Sequence, residues 1–347
     1  MQWVLGIILG LIGLLALAGL IGGYAGFVMA LTRRETKVKL QEPEPCAGDR
    51  DAMRDEGKAY LFALHPEEVE LKSRDGITLR GYYIPAEKPT NKLAVLSHGY
   101  RCDGPTEFGM FFRFYHETLG WNILLPDHRA HGRSDGKRMG FSALEWQDLL
   151  DWIAAYANRV PGEPRIALHG VSMGAAIVLN CNEHDLPPCV TCVVEDCGYT
   201  NGFEMMRLSA RRDLNIKFEP IFWAYRMWYR AFNGLSLKRD ADLIGNIAKL
   251  KAPTLFVHGE DDPFVPAEMG HRLYQAATIE KDCLFVPGAT HAMCIFTDPE
   301  SYQAKLLEWY GKHMEARDFS LDNPNEIVYT MDRATGQEGE SHAAQVL

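Results

Sequence analysis

The chain of 347 residues is 47% hydrophobic and carries 36 Lys and Arg against 46 Asp and Glu, a formal net charge of -10. That length and apolar share support a full core in one large α/β domain or two smaller ones, and the acidic balance, without a basic stripe, provides no electrostatic pull toward nucleic acid. The eight cysteines fall at irregular spacings in a chain too long to need disulfide staples, a usage that favours a reducing compartment.

Residues 1–32, "MQWVLGIILGLIGLLALAGLIGGYAGFVMALT", carry no side-chain charge and exceed the roughly 20 apolar residues that cross a bilayer. They predict a single transmembrane anchor, with Trp3 and Tyr24 placed toward the two interfaces. A cleaved signal sequence is the rival: it expects a positive leading region that is missing here, although "VMA" before Leu31 weakly resembles a cleavage site. Arg33, Arg34, Lys37 and Lys39 follow at once, so the positive-inside rule puts the rest of the chain in the cytoplasm. Gly6, Gly10 and Gly13, and again Gly19, Gly23 and Gly26, recur at small-residue spacings that let two membrane helices approach, which makes a homodimer an expectation. Residues 33–59, charged and Pro-containing, read as a juxtamembrane linker with one short helix.

From residue 60 to 317 the pattern alternates between strands and helices. "EEVELKS" and "TLRGYYIP" flank an Asp75-Gly76 turn as a hairpin. "KLAVLSHG", "WNILLPDHR", "RIALHG", "CVTCVVEDC", "APTLFVHG" and "DCLFVPG" read as further strands, several nearly all apolar, as strands buried on both faces are. "TEFGMFFRFYHETLG" and "SALEWQDLLDWIAAYANRV" read as helices, the second opened by a Ser142 cap with Glu145 three residues on. Such alternation means crossover connections and one doubly wound, mostly parallel sheet. Residues 200–248 lose the strand pattern, crowd aromatics into "FEPIFWAYRMWYRAF" and read as a helical cap. Residues 318–347 form a polar tail expected to be loosely held.

Open parallel sheets collect their chemistry at the carboxyl ends of the strands. Gly170, Val171, Ser172, Met173 and Gly174 follow an apolar strand and open the helical "AAIVLN", the context of a nucleophile elbow. A serine hydroxyl needs a base, and His291 in "PGATHAM" follows the last strand, where the chain order Ser, acid, His puts it. His98, His169 and His258 also end or follow apolar strands and read as holders of loops. The acid comes from Glu260, Asp261 or Asp262 in "HGEDDPFVP"; Asp262 is preferred because Pro263 and Pro266 stiffen the loop after it, with Asp261 next and Asp196 in "VVEDCGY" as a further alternative. An oxyanion needs fixed donors: Met173 N–H after the nucleophile and Tyr100 N–H in "SHGYRCDG", where Gly99 permits the turn. The Cys189, Cys192 and Cys197 spacing lacks the second ligand pair of a metal site and reads as strand packing.

Together "SHGY", "DHRAHGRSDG", "HGVSMGA", "EDCGYT", "HGEDDPFVP" and "PGATHA" resemble the α/β-hydrolases over residues 60–315, and most of all a bacterial membrane-anchored branch akin to serine-aminopeptidase-type hydrolases. The resemblance implies an α/β-hydrolase fold with Ser172 as nucleophile, Asp262 as acid and His291 as base. It also implies a structural role for Asp127, His131, Gly132 and Ser134 in the site's floor. The mechanism it implies needs neither metal nor organic cofactor.

The expected activity is hydrolysis of an ester or amide of a small acyl substrate. In this reading the rings of Phe218, Phe222, Trp223, Tyr225, Trp228, Tyr229 and Phe232 either roof an acyl pocket or pack the cap onto the sheet and the membrane surface. An aminopeptidase-like activity is the alternative and requires an acid for the substrate amine, with Glu204 and Glu219 as candidates. A non-catalytic, membrane-tethered ligand binder is the second alternative, because fold does not fix function.

Overall fold

The computed structural model describes residues 2–33, 47–184 and 186–315. The polar tail at 318–347, and Arg34, Lys37 and Lys39, lie outside the described residues. Eight strands form one sheet: β1 (Glu67–Lys72), β2 (Thr78–Ile84), β3 (Lys92–Ser97), β4 (Asn122–Pro126), β5 (Arg165–Val171), β6 (Val190–Asp196), β7 (Thr254–Gly259) and β8 (Lys281–Val286). Their order is β1-β2-β4-β3-β5-β6-β7-β8. β2 pairs antiparallel with β1 and β4, and every pairing from β4 to β8 is parallel.

The helices are α1 (Gln2–Leu31), α2 (Ala47–Ala63), α3 (Gly104–Glu107), α4 (Glu145–Ala157), α5 (Met173–Glu183), α6 (Gly202–Leu214), α7 (Glu219–Asn233), α8 (Leu237–Asp240), α9 (Leu243–Asn246), α10 (Ala267–Ala276), α11 (Cys294–Thr297) and α12 (Pro299–His313). Two apolar cores cover the faces of the sheet. One gathers Leu93, Val95, Ile166, Leu168 and Val193 with Trp152, Ile153 and Ile177; the other gathers Ala94, Leu96, Val194, Leu255 and Val257 with Phe111, Tyr115, Tyr302 and Trp309. Alternate residues of one strand enter opposite cores, which is why these strands read as unbroken apolar runs. α5 is buried along its whole length, so it has no side facing solvent and its first turn is fixed from every side.

Two expected helices differ. The run from Thr106 to Gly120 is broken into α3, a 3-10 turn at Gly109–Phe111 and a wide five-residue turn at Phe114–Thr118. The cause is α2: a Cβ on Gly57 would stand 1.8 Å from the Gly109 carbonyl oxygen, and one on Gly109 2.6 Å from that of Arg54. α2 thus crosses the linker boundary drawn at residue 59 and packs on the domain. The helix after Ser142 begins at Glu145 with no side-chain cap, because the Glu145 carboxylate accepts from Gly140 N–H at 2.6 Å instead.

α1 is long and apolar enough to cross a membrane, yet it divides in two. Residues 2–18 are exposed throughout, whereas Gly19, Gly23, Phe27 and Leu31 form a buried stripe with a four-residue period. The stripe packs on α7, and the two helices run in the same direction. A Cβ on Gly19 would meet Pro220 at 2.9 Å and one on Gly23 would meet Ala224 at 2.5 Å. Tyr24 meets Trp228 edge-on at 5.2 Å, Phe27 stacks on Phe232 at 5.2 Å, and Trp228 Nε1 donates to Leu20 O at 3.0 Å. The second glycine set, expected to serve a homodimer, is therefore filled by the chain's own cap. Gly6, Gly10 and Gly13 have no neighbour within 4 Å.

Candidate active site

Ser172 joins β5 to α5 with φ 57° and ψ -115°, a conformation L-residues avoid and one that marks a strained turn. Close approach dictates the flanking glycines: a Cβ on Gly170 would lie 2.2 Å from the Gly174 carbonyl oxygen, and one on Gly174 1.8 Å from that of Ser97. The Ser172 N–H donates to Asp196 O at 2.8 Å, which ties the turn to β6.

The loop after β8 carries His291 to Ser172, with Nε2 2.9 Å from Oγ. On the other side of the ring, Nδ1 lies 2.7 Å from Asp262 Oδ2. Asp262 is fixed in turn, its Oδ1 accepting from the N–H groups of Phe264 and Val265 at 2.8 Å each. Burial pushes the Asp262 carboxyl up, but the charges and hydrogen bonds of His291 and His258 outweigh burial and hold it well below the usual carboxylate range. Burial likewise pushes His291 down, and Asp262 overrides it, so the imidazole is raised above its ordinary value. An ionised Asp262 makes Nδ1 the donor and leaves Nε2 open to the serine proton.

Among the described residues, Asp262 is the candidate carboxylate that touches His291. Glu260 faces His271 at 3.2 Å, Asp261 is exposed, and Asp196 accepts from the Tyr302 hydroxyl at 2.6 Å. The other strand-end histidines hold structure. His258 Nε2 is 2.9 Å from Val265 O and 3.4 Å from Asp262 Oδ2, a second imidazole on the same oxygen. His98 bridges Gly99 O and His128 N–H at 2.8 and 3.0 Å. His169 sits between the hydroxyls of Tyr115 and Tyr302, and burial pushes it down to about 3.

Met173 opens α5, so its N–H belongs to the turn of donors that a helix does not engage itself. Tyr100 lies in a turn closed by Cys102 N–H to Gly99 O at 3.4 Å. That turn abuts Ser172, since a Cβ on Gly99 would stand 3.4 Å from Ser172 Cβ. The sequence reading missed Glu107, whose Oε2 accepts from Gly99 N–H at 3.2 Å and whose Oε1 lies 3.6 Å from Arg54 of α2. Nothing in the helical-looking run around Glu107 marks it out. Beneath, Asp127 accepts from Gly104 and Arg133 N–H at 3.1 and 2.8 Å, and the Ser134 hydroxyl donates to Asp127 O at 2.6 Å.

The aromatic cap divides its rings. Tyr225, Trp228 and Phe232 pack against α1, the Tyr229 hydroxyl donates to Gly140 O at 2.7 Å, and Trp223 is 72% exposed. Glu204 and Glu219 are both neutralised, the first by Arg272 and the second by Arg207 and Arg211. Cys197 offers a third donor atom within 4.8 Å of those of Asp262 and His291. Burial holds its thiol well above the ordinary value, so it is a neutral group beside a carboxylate and an imidazole already engaged with each other.

A model of the alpha/beta hydrolase family matches residues 94–304. The chain belongs to that family. This α/β-hydrolase is 25% identical to the uncharacterised protein YqkD of Bacillus subtilis over 245 residues, 69% of this chain and 77% of that one. It is 29% identical to the monoacylglycerol lipase of Mycolicibacterium smegmatis over 255 residues, 64% of this chain and 89% of the lipase. With lysophosphatidylserine lipase ABHD12 of Macaca fascicularis it shares 27% identity over 169 residues, 46% of this chain and 39% of that protein. An esterase of Pyrococcus furiosus superimposes with a TM-score of 0.62 at 20% identity, covering 82% of this chain and 99% of the esterase, a likeness of fold. The chain is an enzyme of the hydrolase class.

Proposed function

We propose that this α/β-hydrolase is a membrane-anchored serine esterase that splits an acyl ester through an acyl-enzyme. The observation that carries the reading is the Asp262, His291, Ser172 relay, with contacts of 2.7 and 2.9 Å on a strained turn. Ser172 Oγ attacks the ester carbonyl carbon as His291 Nε2 takes its proton. The oxyanion is received by the N–H groups of Met173 and Tyr100. Collapse expels the alcohol, which takes the proton from His291, and a water activated by the same nitrogen releases the acid.

The lipase relatives favour an acyl ester of a glycerol-type alcohol as substrate. The aminopeptidase alternative is disfavoured, because the two carboxylates it would use are already paired with arginines. Retention of α1 as the anchor is supported by Phe27 and Leu31, 1% and 0% exposed in the core, which cleavage before Leu31 would separate. The positive charge at Arg33 favours a cytoplasmic enzyme.

The test is fluorophosphonate labelling of the full chain and of Ser172→Ala, followed by a panel of monoacyl esters beside aminoacyl amides. Labelling lost in the variant and turnover of the esters alone are expected. Equal labelling of both proteins removes the serine-hydrolase reading, and turnover of amides alone removes the esterase reading.

A further inference from the structure

We propose that the membrane helix is part of the catalytic apparatus: through the Tyr100 hydroxyl and the Arg101 guanidinium, the carboxyl end of α1 positions the turn that supplies the second oxyanion donor. The inference rests on the oxyanion assignment made above. A helix leaves its last four carbonyls without partners of its own. In α1 all four are met. Val28 O accepts from Thr32 Oγ1 at 2.5 Å, Met29 O from Arg101 Nη2, Ala30 O from Tyr100 Oη at 2.6 Å and Leu31 O from Met139 N–H at 3.0 Å. Two of the four donors are thus consecutive residues of the Gly99 to Cys102 turn.

Other supports of the turn act at Gly99 and Cys102. Its closing bond is 3.4 Å and the Glu107 carboxylate reaches Gly99 N–H at 3.2 Å, both long for N–H donors, while His98 Nδ1 meets Gly99 O at 2.8 Å. Arg101 holds φ 56°, a left-handed conformation that persists only where surrounding contacts enforce it. Its guanidinium covers the Tyr100 ring at 4.9 Å and sits at the negative end of the α1 dipole. The Tyr100 side chain is therefore clamped between α1 and Phe141, whose ring it meets edge-on at 5.7 Å, and its own backbone N–H is fixed with it. α1 is in turn seated by Gly19 and Gly23 against α7.

The experiment uses the full chain in detergent with a small water-soluble ester and a boronic acid as tetrahedral analogue. Tyr100→Phe removes the hydroxyl and keeps the ring and the backbone donor. It is expected to lower kcat ~10-fold, a fraction of the ~100-fold or more seen when such a donor is deleted, to weaken the boronic acid in parallel, and to leave KM unchanged in a chain that still melts cooperatively, above the assay temperature. Gly23→Leu, which drives a side chain into Ala224, is expected to lower kcat in the same way, while Gly10→Leu, in open space, leaves it unchanged. Wild-type kcat and boronic acid affinity in Tyr100→Phe overturn the proposal, as does a loss of kcat without a loss of analogue affinity. If Ser172→Ala is active in the same assay, it is the serine-hydrolase reading that falls instead.

Discussion

Replacing Asp262 by Asn tests the relay at the atom that sets the tautomer. Oδ1 of Asp262 is held by two backbone N–H groups at 2.8 Å, while Oδ2 faces His291 Nδ1 at 2.7 Å and His258 Nε2 at 3.4 Å. Backbone donors cannot reverse their role, so the Asn oxygen takes the Oδ1 place and its NH2 group the other. That group donates where Asp262 accepted, and His291 must accept at Nδ1 and carry its proton on Nε2. The base then points a proton at Ser172 rather than a lone pair. A forced wrong tautomer in a relay of this kind lowers kcat by roughly 10⁴, or about 5.5 kcal/mol of barrier. Initial rates on a soluble ester at alkaline pH measure the drop, and a thermal melt checks that the two backbone donors are still satisfied. Asp261→Asn, at an exposed side chain, is expected to keep full activity. Activity of Asp262→Asn within tenfold of wild type, or a dead Asp261→Asn enzyme, would refute the assignment of the acid.

Because Asp262 raises His291, the acid limb of kcat/KM should fall above pH 6.5, and a limb well below that value argues against an ionised carboxylate behind the ring. Gly174→Ala places a Cβ 1.8 Å from Ser97 O; overpacking against backbone costs about 3 kcal/mol or more, read as a lowered urea midpoint with loss of activity. His169 is pushed down to about 3 by burial, so the unfolded chain takes up a proton that the fold refuses. The stability this group contributes is full above about pH 6.5 and is lost as pH falls from there toward 3, at about 1.4 kcal/mol per unit, and His169→Phe should flatten the urea-melt pH dependence by that slope. Glu204→Gln and Glu219→Gln are expected to leave the ratio of ester to aminoacyl amide turnover unchanged, since both carboxylates are spent on arginines; a shift in that ratio would revive the peptidase alternative.

What the sequence makes legible here is what is local. Parallel strands buried on both faces announce themselves as apolar runs, so β3 to β7 are readable, and with them the polar residues at their carboxyl ends. The elbow is readable because two glycines four positions apart answer to contacts made inside that turn and with its neighbouring strand. The carboxylate that meets His291 is less so: Asp261 and Asp262 are adjacent and chemically alike, and only the turn that aims Asp262 at His291 distinguishes them. Glu107, Arg54 and the break at Gly109 escape a reading by period altogether, because the cause is a second helix that crosses the run at backbone contact.

The N-terminal helix is the case in which a local reading hides the larger one. Its thirty uncharged residues are long and apolar enough to cross a membrane, and hydrophobicity alone does not distinguish lipid from protein as the surface that covers them. Residues 2–18 are bare on every side, about 25 Å at helical rise and close to the thickness of a hydrocarbon core. Beyond them one stripe of the helix is covered by a cap helix far along the chain, at Pro220, Ala224, Trp228 and Phe232. A glycine stripe that reads as a site for a second copy of α1 is met here by α7, since small residues admit any close helix. One continuous helix thus carries a bare apolar stretch at one end, seats on the cap through its middle and meets the Tyr100–Arg101 turn beside Ser172 at the other, so that the proposed anchor and the proposed oxyanion turn are joined by a helix rather than by a linker.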